Sequence, residues 1–305
     1  MWWMLIAADG LFANTSGGDR QMSLMRRKHR AYLYLNTELA ATGGRVTDEI
    51  LGGIIMAAIT EARLSDPTAC SAHLQGFEGA VRARGGLKAS LVACTIPALR
   101  LAHLMPYLVC DPLQDSESDG QRQLQQFVQF LMIQMRRRSF STFPVGASPQ
   151  TGLLQFKNII GAHGSALLYT SLARYLQVED RRIIRFADEA ASFLSFFLIT
   201  LTLWRMSESI QKPQLFITRL SAVLEGSCAF GEDGRPMLTL QGLMWVVIKA
   251  IQDLQAQTNE VREDYELWAI LNGIEALRVY RSMSCYKARR RARILLLHIL
   301  VGEDF

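Results

Sequence analysis

Closely spaced cysteines of the kind that hold metals or exchange electrons are missing from this chain of 305 residues. No pair of cysteines has two residues between its members, the spacing typical of zinc and thiol-redox sites. The sequence therefore predicts no metal centre and no cofactor. The cysteines are interpreted as reduced, mostly buried thiols of an intracellular protein; they are Cys70, Cys94, Cys110, Cys228 and Cys285.

Motifs of the common catalytic sites are also missing. The chain has no P-loop, no glycine fingerprint for a dinucleotide, no G-x-S-x-G elbow and no H-E-x-x-H pair. No histidine has a carboxylate three or four residues away, so none forms a base or metal pair on one helix face. We therefore predict no catalytic residues and no enzymatic activity. The histidines are His29, His73, His103, His163 and His298.

An apolar run long enough to cross a membrane is missing as well. The longest candidate, residues 190–204, is bounded by Glu189 and Arg205 and contains four hydroxyl side chains. A span needs about 20 apolar residues, so a buried central helix is favoured and no membrane span is predicted. The apolar opening Met1–Ala8 has no basic leader and is followed by Asp9-Gly10, which argues against a secretion signal. The apolar opening is explained equally well if Met1 is a chance start within a longer gene.

What the chain does have is material for a large helical core. Half of its residues are hydrophobic and a fifth are charged, with a formal net charge of +5, weaker than dedicated nucleic-acid binders usually show. Helical spacing of apolar residues recurs along the chain and predicts an all-α fold, a bundle or irregular array of about ten to twelve helices. We expect a poorly defined segment over 1–25 and one helical domain over 26–305, with loops near 110–120 and 139–150.

One helix is marked at both ends. Asp66 is a favourable N-cap and Pro67 fits the first helical position. Basic residues in the last turn and the pair Gly85-Gly86 are typical of a helix C-terminus. Leu74, Phe77 and Val81 share one face, and the small residues between them leave room for a partner helix.

This stretch resembles a known signature. It has the order H-x-x-G-hydrophobic, V-x-x-R-G-G-L that is typical of the regulatory domain of fungal binuclear zinc-cluster transcription factors. The matching residues are His73, Gly76, Phe77, Val81, Arg84, Gly85, Gly86 and Leu87. Two upstream stretches, residues 31–39 and 46–61, are similar to that family's short Leu-Asn-x-x-Leu helix and to the acidic-capped helix that follows it. The resemblance covers about residues 31–90.

The resemblance implies a nuclear protein that modulates transcription through protein partners. It also allows a homodimer and the binding of a small-molecule effector. The six-cysteine zinc cluster that reads DNA in this family is absent from the sequence, so no direct sequence-specific DNA binding is expected of this chain. His73 and Arg84 are interpreted as structural, one contacting a neighbouring helix and the other capping its own. A zinc cluster encoded upstream of Met1 would make the chain the regulatory part of a longer factor.

Two other functions stay open. The chain could be a helical interaction scaffold without a transcriptional role, or a membrane-associated protein held by residues 190–204 or by its basic C-terminus. The cytoplasm is the alternative to a nuclear location. Two basic runs bear on location. Residues 26–30 are either an import signal, a phosphate contact or a solvated helix start. The second run is interpreted as a nuclear import signal, with a basic helix covering apolar neighbours as the alternative; it comprises Lys287, Arg289, Arg290, Arg291 and Arg293.

Overall fold

The computed structural model describes residues 18–64, 66–112, 119–136, 185–207, 209, 211–227, 239–258 and 264–301. Over these ranges the chain forms helices and no strand, which confirms the predicted all-α fold. The helices are α1 Gly18–Ala41, α2 Asp48–Arg63, α3 Pro67–Ala83, α4 Leu87–Ala93, α5 Pro97–Ala102, α6 Met105–Val109, α7 Gly120–Arg136, α8 Phe186–Arg205, α9 Gln211–Ser227, α10 Leu240–Thr258, α11 Tyr265–Ser282 and α12 Tyr286–Val301.

The chain forms two compact units, Met1–Leu113 and Gln114–Phe305. The division falls in the loop expected near 110–120, whose residues 113–118 lie outside the described ranges. The single domain expected over 26–305 stays a prediction. Helix α1 already begins at Gly18, within the segment 1–25 for which the sequence indicates no defined element. The loop expected near 139–150 also lies outside the described residues.

Unit 1 is built on the pair α2 and α3, which pack against each other and against α6. Leu51, Ile55 and Phe77 are fully buried between these helices or nearly so. Helix α1 adds one narrow face, where Ala31 packs against Ala57 of α2. Burying apolar side chains between α2 and α3 is favourable and helps to hold the signature helix in place.

Two sequence predictions in unit 1 need correction. The spacing of Pro97 and Pro106 predicts one short helix over residues 98–105. The structure has two helices there, Pro97–Ala102 and Met105–Val109, because proline is tolerated in the first turn of a helix. Cys70 and Cys110 form a disulfide, with their Cα atoms 5.3 Å apart. The interpretation of every cysteine as a reduced thiol is therefore wrong for this pair, since spacing rules detect only neighbours in sequence. Cys94 and Cys285 are free.

Unit 2 is organised around α8, which packs against α9, α10, α11 and α12. Almost every side chain of this helix is buried, including Phe193, Phe196 and Phe197. Within the described part of the chain, α8 is the one helix whose length and composition would allow a membrane crossing, and most of it is buried among its neighbours. A helix that is apolar all round is typical of the centre of a large core.

Candidate functional site

The candidate site is the set of polar contacts that tie the signature helix α3 to α1, α2 and the loop before α5. Helix α3 begins where the sequence predicts, because the Asp66 carboxylate accepts a hydrogen bond from the Ala69 backbone N–H at 2.9 Å and Pro67 occupies the first turn. At the other end the backbone N–H of Gly86 donates to the carbonyl of Val81 at 3.0 Å. That bond closes the last turn in the manner of a Schellman motif.

Gly85 and Gly86 both have positive φ, 90° and 95°. Side chains are disfavoured in that region, so the two glycines are required by the backbone. Gly86 then serves as the N-cap of α4, which places Leu87 as the first residue of a new helix. The turn thus ends the signature helix and starts α4, which contacts it.

Arg84 reaches beyond the end of its own helix. One of its guanidinium nitrogens lies 2.7 Å from the Asp48 carboxylate at the start of α2. The second carboxylate oxygen of Asp48 accepts hydrogen bonds from the backbone N–H and the hydroxyl of Thr95, at 2.9 and 3.0 Å. Burial alone would raise the pKa of Asp48, but the contacts with Arg84 and Thr95 outweigh it and hold that pKa below its ordinary value. Asp48 therefore joins three segments of unit 1.

A second polar cluster surrounds Glu61, whose side chain is fully buried. Its two oxygens accept from the Lys28 ammonium at 2.7 Å and from the Tyr32 hydroxyl at 2.6 Å. The same hydroxyl lies 2.9 Å from Nε2 of His73. Because the single Tyr32 proton goes to the carboxylate, His73 donates from Nε2 to the Tyr32 oxygen. The cluster joins α1, α2 and α3 through one chain of hydrogen bonds.

Burial governs the acid–base behaviour of this cluster. Burial lowers the pKa of His73, and the charges of Lys28, Glu61 and Asp66 have smaller effects. Burial and the neighbouring Glu61 carboxylate raise the pKa of the Tyr32 hydroxyl, so the phenol stays protonated. The neutral His73 and the protonated Tyr32 are thus the forms that the fold favours.

The remaining residues of the signature are structural or face outward. Phe77 and Val81 are buried, and the Phe77 ring meets the His103 ring edge to face, with centroids 5.4 Å apart. Gly76 is exposed, with no atom near the position a Cβ would take. A lone histidine in an apolar stretch is typical of a packed core residue. His103 is such a residue, since it is fully buried and donates from Nδ1 to the Leu99 carbonyl at 2.6 Å.

The basic run of α12 is divided between the surface and the interior of unit 2. Lys287 and Arg291 are exposed, whereas Arg289 and Arg293 are buried. The two buried guanidinium groups lie 3.3 and 4.0 Å from the Glu189 carboxylate. The five predicted import residues therefore differ in exposure, because the buried Glu189 carboxylate requires cationic partners. Their role as an import signal stays a prediction.

Sequence reasoning missed the pairing partners. Nothing in the sequence indicates that Asp48 pairs with Arg84, 36 residues away, or that Glu61 pairs with Tyr32, 29 residues away. No group of three or more histidine, cysteine or acidic side chains is placed to hold a metal ion within the described ranges. What the arrangement does chemically is to hold helices together by ion pairs and hydrogen bonds.

Searches against models of protein families, against curated proteins and against solved structures found no match to this chain.

Proposed function

We propose that the chain is a transcription-regulating protein of the kind that the fungal zinc-cluster factors carry as their regulatory domain. It would act in the nucleus through protein partners and without reading DNA itself. The proposal rests on the signature from His73 to Leu87, on the wider resemblance over about residues 31–90, and on one structural observation that supports it.

That observation is the connection among the three stretches that carry the resemblance. Arg84 of the signature helix pairs with Asp48 of the preceding helix, and His73 is linked through Tyr32 to Glu61. A chance match to a sequence pattern would not require its polar residues to contact one another. Because these contacts join all three stretches, the matched residues behave as one structural unit.

A tethering experiment tests the proposal. The full chain is fused to a heterologous DNA-binding module, and reporter output is compared with that of the module alone at equal protein abundance. We expect the fusion to raise or lower the reporter. Unchanged output from a folded fusion would contradict the proposal and favour the non-transcriptional scaffold.

A variant pair makes the experiment specific to unit 1. Asp48→Asn removes the charge opposite Arg84, whereas Asp253→Asn removes the charge of an exposed i,i+4 pair with Lys249 in unit 2. We expect only the first substitution to weaken the reporter effect. An equal loss in both variants would show that the effect does not depend on the signature contacts.

A further inference from the structure

The outward face of α1 takes no part in the contacts described above. Helix α1 is held by Ala31, which packs on α2, and by Lys28 and Tyr32, which contact Glu61. The side of the helix that adjoins Tyr32 carries three exposed apolar side chains, Met22, Met25 and Leu33, with exposed fractions of 58 %, 52 % and 51 %, while the exposed Tyr34 and Leu39 lie on other sides of α1. We call these three residues the α1 stripe.

The α1 stripe has the geometry of a helix-binding surface. At 100° per residue its three side chains fall within an arc of about 80°, and they extend over about 16 Å of the helix axis. Solitary exposed apolar residues are common on proteins, but three aligned over three turns match the contact face of a partner helix. Two of the three are methionines, whose flexible side chains suit such contacts.

Positive charge accompanies the stripe. Arg26 and Arg30 are exposed, lie one turn apart and follow the same edge of the stripe, and the exposed His29 lies within it. No aspartate or glutamate occurs between Asp19 and Glu38 of the sequence. Lys28 is already paired with Glu61, so the outward charge comes from the two arginines. This positive charge repels the same face of a second copy of the chain and attracts a negatively charged partner.

We propose that the α1 stripe docks an acidic amphipathic helix of a partner protein. The apolar side of that helix would cover Met22, Met25 and Leu33, and carboxylates at i,i+4 spacing would meet Arg26 and Arg30. The proposal goes beyond the proposed function, since a scaffold and a transcriptional regulator would use the surface alike. The basic run of residues 26–30 then serves as a protein contact.

Binding of the full chain to two fluorescent 18-residue peptides tests the proposal. Both peptides carry the same leucine stripe, one flanked by glutamates and the other by lysines, and binding is followed by anisotropy. We expect the glutamate peptide to bind the native chain. The Arg26→Glu/Arg30→Glu variant should bind the glutamate peptide about tenfold more weakly and the lysine peptide more tightly than the native chain does. Met22→Ser/Met25→Ser/Leu33→Ser should abolish binding of both.

Lys88→Glu/Val92→Ser is the matched control, because it reverses one charge and removes one exposed apolar side chain elsewhere in unit 1. It should bind the glutamate peptide as the native chain does. Failure of the glutamate peptide to bind, or equal binding of both peptides, would overturn the proposal. The proposal would also be overturned if the native chain sedimented with vesicles of anionic phospholipid and the triple serine variant did not, since the stripe would then be a membrane contact. A dimer that dissociates in that variant would assign the stripe to a second copy.

Discussion

At the residue scale, the turn after α3 requires glycine at two positions, whereas a third glycine of the signature could be replaced by another residue. Gly85 has a positive φ of 90°, and a Cβ there would lie 3.4 Å from the Ala89 side chain. Gly76 lies in the middle of α3, with open space where its Cβ would be. The same residue type thus has opposite consequences at the two positions.

Gly85→Val should lower the free energy of unfolding by about 1 kcal/mol or more, because a β-branched side chain disfavours positive φ. Gly76→Ala should raise it by about 0.5 to 1 kcal/mol, because alanine is a better helix former. Chemical denaturation followed by circular dichroism measures both. Equal midpoints for Gly85→Val and the native chain would contradict the assigned turn.

His73 should make unit 1 sensitive to acid. Burial lowers its pKa in the folded chain, so the unfolded chain binds the proton more readily. The stability is fully present above the ordinary pKa of about 6.5 and is lost as the pH falls from there toward the lowered value. Thermal midpoints between pH 7.5 and 5.5 should decrease less in His73→Gln than in the native chain.

The exposed His29 supplies the control for this experiment. His29→Gln should retain the pH dependence of the native chain. The same decrease in His73→Gln and in the native chain would show that another group, such as the buried His103, accounts for the acid sensitivity.

At the scale of the element, α8 shows how one charged residue constrains a buried helix. Burial raises the pKa of Glu189, and Arg293 and Arg289 oppose that rise. The Tyr280 hydroxyl also donates to the same carboxylate at 3.4 Å. The first turn of α8 is therefore the point where α11 and α12 attach to it through polar contacts.

Glu189→Gln should destabilise unit 2 by about 3 to 5 kcal/mol, because two buried guanidinium groups would lose their carboxylate. Asp253→Asn removes one member of the exposed pair with Lys249 and should cost less than about 0.5 kcal/mol. Urea denaturation of the two variants compares them directly. A small effect of Glu189→Gln would mean that the two arginines find compensation elsewhere.

At the scale of the whole molecule, α8 is the one helix among the described residues that is long and apolar enough to cross a membrane, and most of it is buried. Because most of its apolar side chains are covered by other helices of unit 2, we expect them to contact protein and not lipid. The full chain should remain in the supernatant after high-speed centrifugation of a lysate prepared without detergent. Sedimentation that only detergent reverses would contradict this, whereas release by high salt would point to the basic surface.

Much of the local structure follows from the sequence because its signals act over four residues or fewer. Thr47 precedes two acidic residues and Asp66 precedes a proline, which predicts an N-cap at both positions. Each side chain accepts a hydrogen bond from the backbone N–H three residues ahead. The apolar stretch of residues 190–204 forms a buried central helix, as its four hydroxyl side chains and its charged flanks Glu189 and Arg205 predict. The ends of α3 are marked by Asp66-Pro67 and Gly85-Gly86 in the same way.

Tertiary structure alone decided the pairings. Arg84 contacts Asp48 over 36 residues of sequence, Arg289 contacts Glu189 over 100, and Cys70 meets Cys110 over 40. A charge or a thiol carries no information about a partner at such a separation, because only the packing of whole helices determines which side chains meet. For the same reason the sequence indicates a basic run in α12 but not which of its arginines the core would bury.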